Sequence, residues 1–373
     1  MNKSLLFLPD ISGFTKFVQT TEVEHSQHVI AELLEVLIGA NTLNLQLAEV
    51  EGDALFFFLE EEIPSLEKLL AQIETMFTAF YSHLKLLEKN RICPCNACST
   101  APNLELKIIA HCGELQFINI QDKRKPFGSQ VIEVHRLMKN SVDSDNYVLL
   151  SNDLAETIAL PATYQSKLFE FNTGEDEYDD KKVSYLYSLI DRENLHLKPF
   201  EQARKVHFDR PPSILLKKKY PMSAPQLLEY ITNYSYRHHW VTNVDKFEYN
   251  ANEVTRLGTE HVCVIGGKHF NLETITKNGK PGQLIYGEFT TDAPPVDELY
   301  QFFILNPLTH NSCRLEVEVY WKAKSPIKKL MLFLIAKKLL KKNFTQSIDD
   351  LYDFVVGIKS TDEVVIENIE GTS

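Results

Sequence analysis

The chain has 373 residues, of which 44% are hydrophobic and 24% charged, so it is long enough for two globular domains. Its net charge of −12 excludes a protein that coats nucleic acid. The longest apolar runs fall well short of the roughly 20 residues of a membrane-spanning helix, and the N-terminal residues lack a signal-peptide pattern. These features predict a cytoplasmic protein with reduced thiols, no transmembrane segment and no nucleic-acid partner.

Up to about residue 190, the apolar pattern alternates between the strand and helix periods. A buried strand at 3–10 precedes an amphipathic helix, and a β-hairpin turns at Gly52 and Asp53. A long helix with Ser65 as its cap then leads through a cysteine-containing loop to further strands and helices. The order is β-α-β-β-α-β-β-α-β-α-β-β, which predicts an α/β sandwich with one helix layer over a mostly antiparallel sheet.

The second half of the chain has a different pattern of predicted elements. Residues 191–212 show no clear period and predict a linker. A strand, a short helix capped by Ser223, a series of strands and a long helix from about 325 to 356 follow. We therefore predict an α+β protein with domains at 1–190 and 213–357, the linker 191–212 and a C-terminal tail at 358–373.

Two aspartates lie where strands end. Asp10 follows the first strand in "LLFLPDISGFT", and Asp53 lies in the turn of "EVEGDALFF". If the first strand lies beside that hairpin, both carboxylates emerge at one sheet edge, where they would hold two Mg²⁺ or Mn²⁺ ions about 4 Å apart. The segment "ISGFT" adds backbone N–H groups that suit a phosphate. The alternative is that Asp10 is a helix cap and Asp53 a turn residue.

Four blocks, "DISGFT", "EVEGDALFF", "LKIIAHCGEL" and "FGSQVIEVHRLMK", occur in the order of the class III nucleotidyl cyclase catalytic domain. Residues 1–190 therefore resemble that family, and most closely a bacterial subgroup with a cysteine-bearing insertion. The resemblance implies a ferredoxin-like α/β sandwich that binds a nucleoside triphosphate. It also implies a homodimer, because the family's sites are built across two subunits.

The resemblance implies a role for several positions of this chain. Two aspartates match the metal ligands, an isoleucine matches the residue that lends a backbone carbonyl, and three loop residues match the triphosphate cradle. A glutamate stands at a base-reading position, and an arginine matches the residue that stabilises charge on the α-phosphate in the transition state. In that order, the residues are Asp10 and Asp53; Ile11; Gly13, Phe14 and Thr15; Glu49; and Arg136.

Three positions depart from the family pattern. Ile132 stands where the family has an asparagine that orients the ribose, and isoleucine has no hydrogen-bonding group in its side chain. The second base-reading position falls near Lys125, which fits neither base, and residues 172–175 lack the family's triphosphate-binding lysine. The absence of the asparagine and of the lysine would each lower a cyclase rate by several orders of magnitude.

Three cysteines lie close together in "CPCNAC". Cys93, Cys95 and Cys98 would bring three thiolates within reach of one ion, which favours a structural Zn²⁺. The fourth ligand would be Cys112, His111 or a residue of a partner subunit. The alternatives are a loop with unligated thiols and a transient redox switch.

The second domain resembles the START-like helix-grip superfamily, also called SRPBCC, in its element order and in the tryptophan of "HHWV". The resemblance implies a cavity for a small apolar ligand between a curved sheet and a closing helix. The residues expected to line it are Trp240, Phe302 and Phe333. The alternative is that these side chains are only core.

Together the two resemblances predict a signalling protein that couples a metal-dependent triphosphate site to an apolar-ligand domain. An active enzyme would form a cyclic nucleotide, and Glu49 favours cyclic GMP over cyclic AMP. Two other interpretations remain open. In one, the cyclase fold has lost catalysis and serves as a regulatory or dimerisation module. In the other, the protein is a ligand carrier whose first domain only dimerises.

Overall fold

The computed structural model describes residues 2–121, 123–178, 181–200, 203–332 and 337–370. The chain divides into two compact units. The first consists of residues 1–89 and 96–200, and the second of residues 90–95 and 201–373. Within the described ranges, no helix is both long enough and apolar enough to cross a membrane.

The first unit contains a seven-stranded sheet in the order β2-β3-β1-β4-β7-β9-β8, in which only β4 and β7 are parallel neighbours. A separate hairpin is formed by β5 and β6, and β6 was not predicted because its residues "KRKPF" carry no apolar alternation. The strands are β1 (Ser4–Ser12), β2 (Gln46–Glu51), β3 (Ala54–Leu59), β4 (Glu105–Gly113), β5 (Gln116–Ile120), β6 (Lys123–Phe127), β7 (Tyr147–Ser151), β8 (Asn172–Tyr178) and β9 (Lys181–Leu189).

The central strand β1 is buried over its whole length. Val134 of helix α5 packs in one core cluster with Leu6 and Leu8, while Leu5 and Phe7 on the opposite face of the strand are also fully buried. Both faces of β1 are therefore covered, whereas the sequence predicts a single helix layer. The helices of this unit are α1 (Phe14–Thr20), α2 (Val23–Gly39), α3 (Leu66–Asn90), α4 (Asn96–Thr100), α5 (Ser129–Leu137) and α6 (Asn152–Thr157).

The second unit is built on an antiparallel sheet in the order β11-β17-β16-β15-β14-β13-β12, and a short strand, β10, pairs in parallel with β14. The strands are β10 (Lys205–Val206), β11 (Ile214–Tyr220), β12 (Lys246–Glu248), β13 (Glu260–Ile265), β14 (Lys268–Lys277), β15 (Leu284–Thr290), β16 (Glu298–Thr309) and β17 (Ser312–Lys322).

Three helices accompany this sheet. Helix α7 (Ala224–Thr232) begins after Ser223, whose hydroxyl accepts a hydrogen bond from the backbone N–H of Gln226, as predicted for its cap. Helix α8 (Pro326–Met331) is followed by α9 (Lys337–Glu370), which places Ile348, Leu351 and Val355 in the core. Helix α9 continues past 356, into the segment that the sequence predicts as a tail.

Candidate functional site

Asp10 and Asp53 lie side by side at one edge of the first sheet. Asp10 pairs with Ala54 of β3, the residue after Asp53, in the antiparallel register of β1 and β3. The backbone N–H of Ile11 donates a 3.1 Å hydrogen bond to the carbonyl of Asp53. The structure therefore brings together Asp10, Asp53 and Ile11, the three residues predicted to bind metal.

The pKa of Asp53 is raised in this environment. Burial and the negative charge of Asp10 raise the pKa of Asp53 from 3.8 to about 6. A pKa that is higher in the folded state stabilises the fold below about pH 4, and this contribution is lost as the pH rises through 6. At neutral pH the site therefore contains two neighbouring carboxylates whose repulsion a cation would relieve.

Lys107 is a third member of the site, and the sequence did not reveal it. It lies opposite Asp10 in the register of β1 and β4, and its Nζ is 2.8 Å from Asp10 Oδ2. Burial would lower the pKa of Lys107, but the hydrogen bond and charge of Asp10 outweigh it and raise the pKa. The lysine is thus charged at neutral pH and neutralises one of the two carboxylates.

The predicted phosphate loop follows β1 directly. Gly13 precedes α1 with a φ of 87°, a left-handed conformation that disfavours other residues. Phe14 and Thr15 form the first turn of α1, where Phe14 is half-buried and Thr15 exposed. Ser12 is buried, and its hydroxyl has no hydrogen-bond partner among the described residues. Because strand side chains alternate, this hydroxyl lies on the same face of β1 as Asp10.

The two predicted base-reading residues contact each other. Glu49 on β2 and Lys125 on β6 form an ion pair with a 3.0 Å separation. Both side chains are partly exposed. The glutamate is therefore partly neutralised by the lysine that departs from the family pattern.

Arg136 lies on helix α5 with its side chain half-buried, and α5 packs on β4, β1 and β6. Ile132, one turn earlier on α5, is 55% exposed. An exposed isoleucine on this helix serves neither the core nor a hydrogen bond to a ribose. The structure thus places Arg136 on α5, a different element from those that carry Asp10 and Asp53.

The cysteine loop has a different fourth member from the one predicted. The ligand atoms of His25, Cys93, Cys95 and Cys98 all lie within 4.8 Å of one another. Cys112 instead contacts Thr157 on α6 at 3.5 Å, with its thiol pKa raised by burial. The other predicted candidate, His111, is hydrogen-bonded to Ser151 and Gln130.

A cavity of about 250 Å³ lies inside the second unit. Trp240 lines it as predicted, while Phe302 points to the other face of β16, into a cluster with Tyr300 and Tyr320. The adjacent Phe303 lines the cavity in its place, because successive strand residues face opposite ways. Phe333 lies outside the described residues. Most of the lining is apolar, with side chains that include Val241, Phe247, Phe270, Leu272, Leu299 and Phe344.

A buried ion pair is among the polar groups that line this cavity. Arg237 and Glu288 are each 3% exposed, and Arg237 Nη2 is 2.7 Å from Glu288 Oε1. Tyr286 donates a 2.6 Å hydrogen bond to the same carboxylate. Burial alone would raise the pKa of Glu288, but the charge of Arg237 outweighs it and holds that pKa below its usual value.

His261 lies beside this pair. Burial lowers the pKa of His261 to about 4, so the ring is neutral at pH 7. Its Nε2 is 3.5 Å from Glu288 Oε1, and neither ring nitrogen has a hydrogen-bond partner among the described residues. The sequence could not reveal this network, because its members come from the turn after α7 and from β13 and β15.

Comparisons with known proteins give matches to part of the chain. Residues 30–147 match a family described as a protein of unknown function (DUF2652). The uncharacterized protein Rv2561/Rv2562 of Mycobacterium tuberculosis (strain ATCC 25618 / H37Rv) is 30% identical over 129 residues, which cover 35% of this chain. The chain spans 60% of the length of that relative. These two matches are too short to assign the whole chain to a family.

Solved structures similar to the chain include two nucleotidyl cyclases. The adenylyl cyclase CyaB from P. aeruginosa is 16% identical with a TM-score of 0.38, over 52% of this chain and 96% of that one. The guanylate cyclase domain of RhGC from Catenaria anguillulae, in complex with GTP, is 13% identical with a TM-score of 0.36. That match covers 51% of this chain and 98% of the cyclase chain. At this level the likeness carries no conclusion about activity.

Proposed function

We propose that the first unit is a class III cyclase-like module that binds a divalent cation and a nucleoside triphosphate at Asp10 and Asp53. The observation that carries this proposal is the adjacency of Asp10 and Asp53, which the antiparallel register of β1 and β3 produces. Burial and the charge of Asp10 together raise the pKa of Asp53. Two neighbouring carboxylates suit a hard cation, which in turn binds phosphate oxygens.

The residues fit a metal ion, and one ion more readily than two. Asp10 and Asp53 offer carboxylate oxygens, and the unpartnered hydroxyl of Ser12 lies on the same strand face as Asp10. Lys107 already supplies one positive charge beside Asp10. The ion would neutralise the remaining carboxylate charge and the phosphate oxygens, while the backbone after Gly13 would contact the triphosphate.

The same residues favour binding over turnover. Ile132 offers no hydrogen bond to a ribose, and Lys107 competes with a cation for Asp10. Positioning of the 3′-hydroxyl and stabilisation of charge on the phosphate supply most of the rate in this reaction class. We therefore favour a regulatory binding module over an active cyclase as the function of this unit. If the unit is an active cyclase, Glu49 favours cyclic GMP as its product.

The test is calorimetric titration of the full chain with Mn²⁺ and GTP or ATP analogues that cannot be cyclised. Binding should be lost in Asp53→Asn and retained in Glu62→Gln, which removes an exposed carboxylate of the same unit. Because a cation must displace the Asp53 proton, the Mn²⁺ affinity of the wild type should rise as the pH increases through about 6. Equal affinity in wild type and Asp53→Asn would contradict the proposal.

Incubation of the wild type with GTP or ATP and Mn²⁺ separates the two candidates. Binding without a cyclic nucleotide detectable by mass spectrometry supports the regulatory module. A cyclic product that disappears in Asp53→Asn would establish the enzyme instead and show that Ile132 is tolerated.

For the second unit we propose a ligand that is mostly apolar and has one polar end. The apolar lining fits the body of such a molecule, and the Arg237–Glu288 pair at the cavity wall fits its polar end. This part of the proposal is independent of the metal site. The cavity volume of about 250 Å³ limits the buried part to a small molecule.

An environment-sensitive apolar dye tests the cavity. The variant Ala293→Trp places a large side chain at a residue of the lining, and we expect it to weaken dye binding by roughly tenfold, or about 1.4 kcal/mol. The control is Ala251→Trp, at an exposed turn of the same unit. Equal dye affinity in both variants would show that the dye does not enter this cavity.

A further inference from the structure

The stretch that follows helix α3 contains a compact group of soft metal ligands. Cys93, Cys95 and Cys98 lie within six consecutive positions of the chain, and the fourth member, His25, lies in the first turn of α2. Their ligand atoms all lie within 4.8 Å of one another. A tetrahedral zinc ion with bonds of about 2.0–2.3 Å separates its ligand atoms by roughly 3.5–3.8 Å. The 3.5 Å between Cys98 Sγ and His25 Nδ1 matches that separation.

We propose that His25, Cys93, Cys95 and Cys98 form a structural zinc site. All four positions of a tetrahedral ion are then filled by side chains, so the site has no open position for a substrate or an activated water. A Cys₃His set of this compactness suits one ion better than an iron–sulfur cluster, whose several metal atoms spread their ligands more widely.

The backbone around the cysteines supports thiolate ligands. The N–H of Cys95 points to Cys93 Sγ at 3.5 Å, and such a bond stabilises a negatively charged sulfur. Cys98 lies in α4 and is buried, as is His25, while Cys93 and Cys95 are half-buried. A site that is largely closed to solvent is typical of structural rather than catalytic zinc.

Glu22 fixes the histidine relative to the loop. Its carboxylate accepts hydrogen bonds of 3.2 and 3.0 Å from the backbone N–H groups of Asn96 and Ala97. Glu22 is also the residue at which α2 begins, three positions before His25. The start of α2 and the start of α4 are therefore tied together next to the ligands. An ion at this point would stabilise the cysteine loop, which lacks extended secondary structure.

Cys93, Cys95 and Cys98 form no disulfide. A transient redox switch among the same three cysteines was an alternative from the sequence. The nearby histidine argues against a disulfide as the resting state. A disulfide would use two of the cysteines and leave the third cysteine and His25 without a metal ion to bind together. Zinc binding uses all four residues at once.

The test is the metal content of the full chain, expressed with zinc in the medium and measured by plasma mass spectrometry. We expect one zinc ion per chain in the wild type, and no bound zinc in His25→Ala. His28→Ala, on the same helix, and Cys112→Ser, at the ligand first predicted, should keep the ion. His25→Cys preserves four ligands and should also keep it, which separates loss of the ligand from loss of the fold.

Cobalt substitution gives a second readout. Tetrahedral Co²⁺ with thiolate ligands absorbs in the visible range, and the spectrum should change between the wild type and His25→Cys because one nitrogen ligand becomes sulfur. Wild-type protein without bound zinc would overturn the proposal. Zinc that persists in His25→Ala but is lost in Cys112→Ser would overturn it equally, since it would return the fourth position to Cys112.

Discussion

Replacement of Glu288 by alanine should lower the free energy of unfolding of the second unit by about 3–5 kcal/mol. The carboxylate neutralises Arg237 in a nearly dry environment and also accepts the hydroxyl of Tyr286. Its removal leaves a buried guanidinium without its counter-charge, which costs far more than the pair itself contributes. Urea unfolding measures the loss. Tryptophan fluorescence reports on this unit alone, since both tryptophans of the chain, Trp240 and Trp321, belong to it.

Two further variants make the Glu288 result specific. Glu248→Ala breaks an exposed ion pair with Lys246 in the same unit and should leave the free energy of unfolding close to that of the wild type, because exposed pairs contribute little. The double variant Arg237→Met, Glu288→Gln removes both charges and should recover part of the loss of Glu288→Ala. A cost for Glu288→Ala as small as that of Glu248→Ala would mean that Arg237 reaches solvent, against its 3% exposure.

Replacement of Lys107 by methionine should tighten Mn²⁺ binding by roughly tenfold to a hundredfold, equivalent to about 1.4–2.8 kcal/mol. The ammonium group of Lys107 lies 2.8 Å from Asp10 Oδ2 and competes with the metal for that carboxylate. Without metal, the same variant leaves two carboxylates with no cation, so its thermal stability should fall below that of the wild type at neutral pH. Added Mn²⁺ should then raise the melting temperature of the variant more than that of the wild type.

Electron paramagnetic resonance of free Mn²⁺ measures this affinity directly. Lys85→Met is the matched control, because it removes an exposed lysine from α3 of the same unit. Equal or weaker Mn²⁺ binding in Lys107→Met would show that the lysine holds Asp10 in place for the ion instead of competing with it.

Local sequence signals sufficed for the strand β1, the hairpin β2–β3 and the adjacency of Asp10 and Asp53. The chain motif "DISGFT" and the Gly-Asp turn are each contained in a few residues, and their adjacency follows from one antiparallel strand pair. Lys107 was not found, because its position opposite Asp10 depends on the register between β1 and β4, which are separated by some ninety residues. A lysine beside the apolar run of β4 was the signal that could have indicated it.

The other differences have similar causes. The cysteine spacing predicted a group of three neighbouring thiols, but His25, the fourth member of that group, comes from a helix some seventy residues earlier, and no local pattern separates it from His28. Phe302 and Phe303 lie on opposite faces of β16. Which of them faces the cavity depends on how β16 pairs with β15 and β17. In the sequence, the members of the charged network around Glu288 are isolated polar residues, and such residues are usually exposed.

A crystal of the full chain grown with Mn²⁺ and a GTP analogue that cannot be cyclised would test the central claim most directly. Anomalous scattering at the manganese edge locates each ion without reference to the chemistry assumed for it. The account predicts a manganese peak within coordination distance of the carboxylates of Asp10 and Asp53, with phosphate density beside the loop at Gly13. Manganese bound elsewhere, or an intact Lys107–Asp10 pair with no metal at high Mn²⁺ concentration, would contradict it.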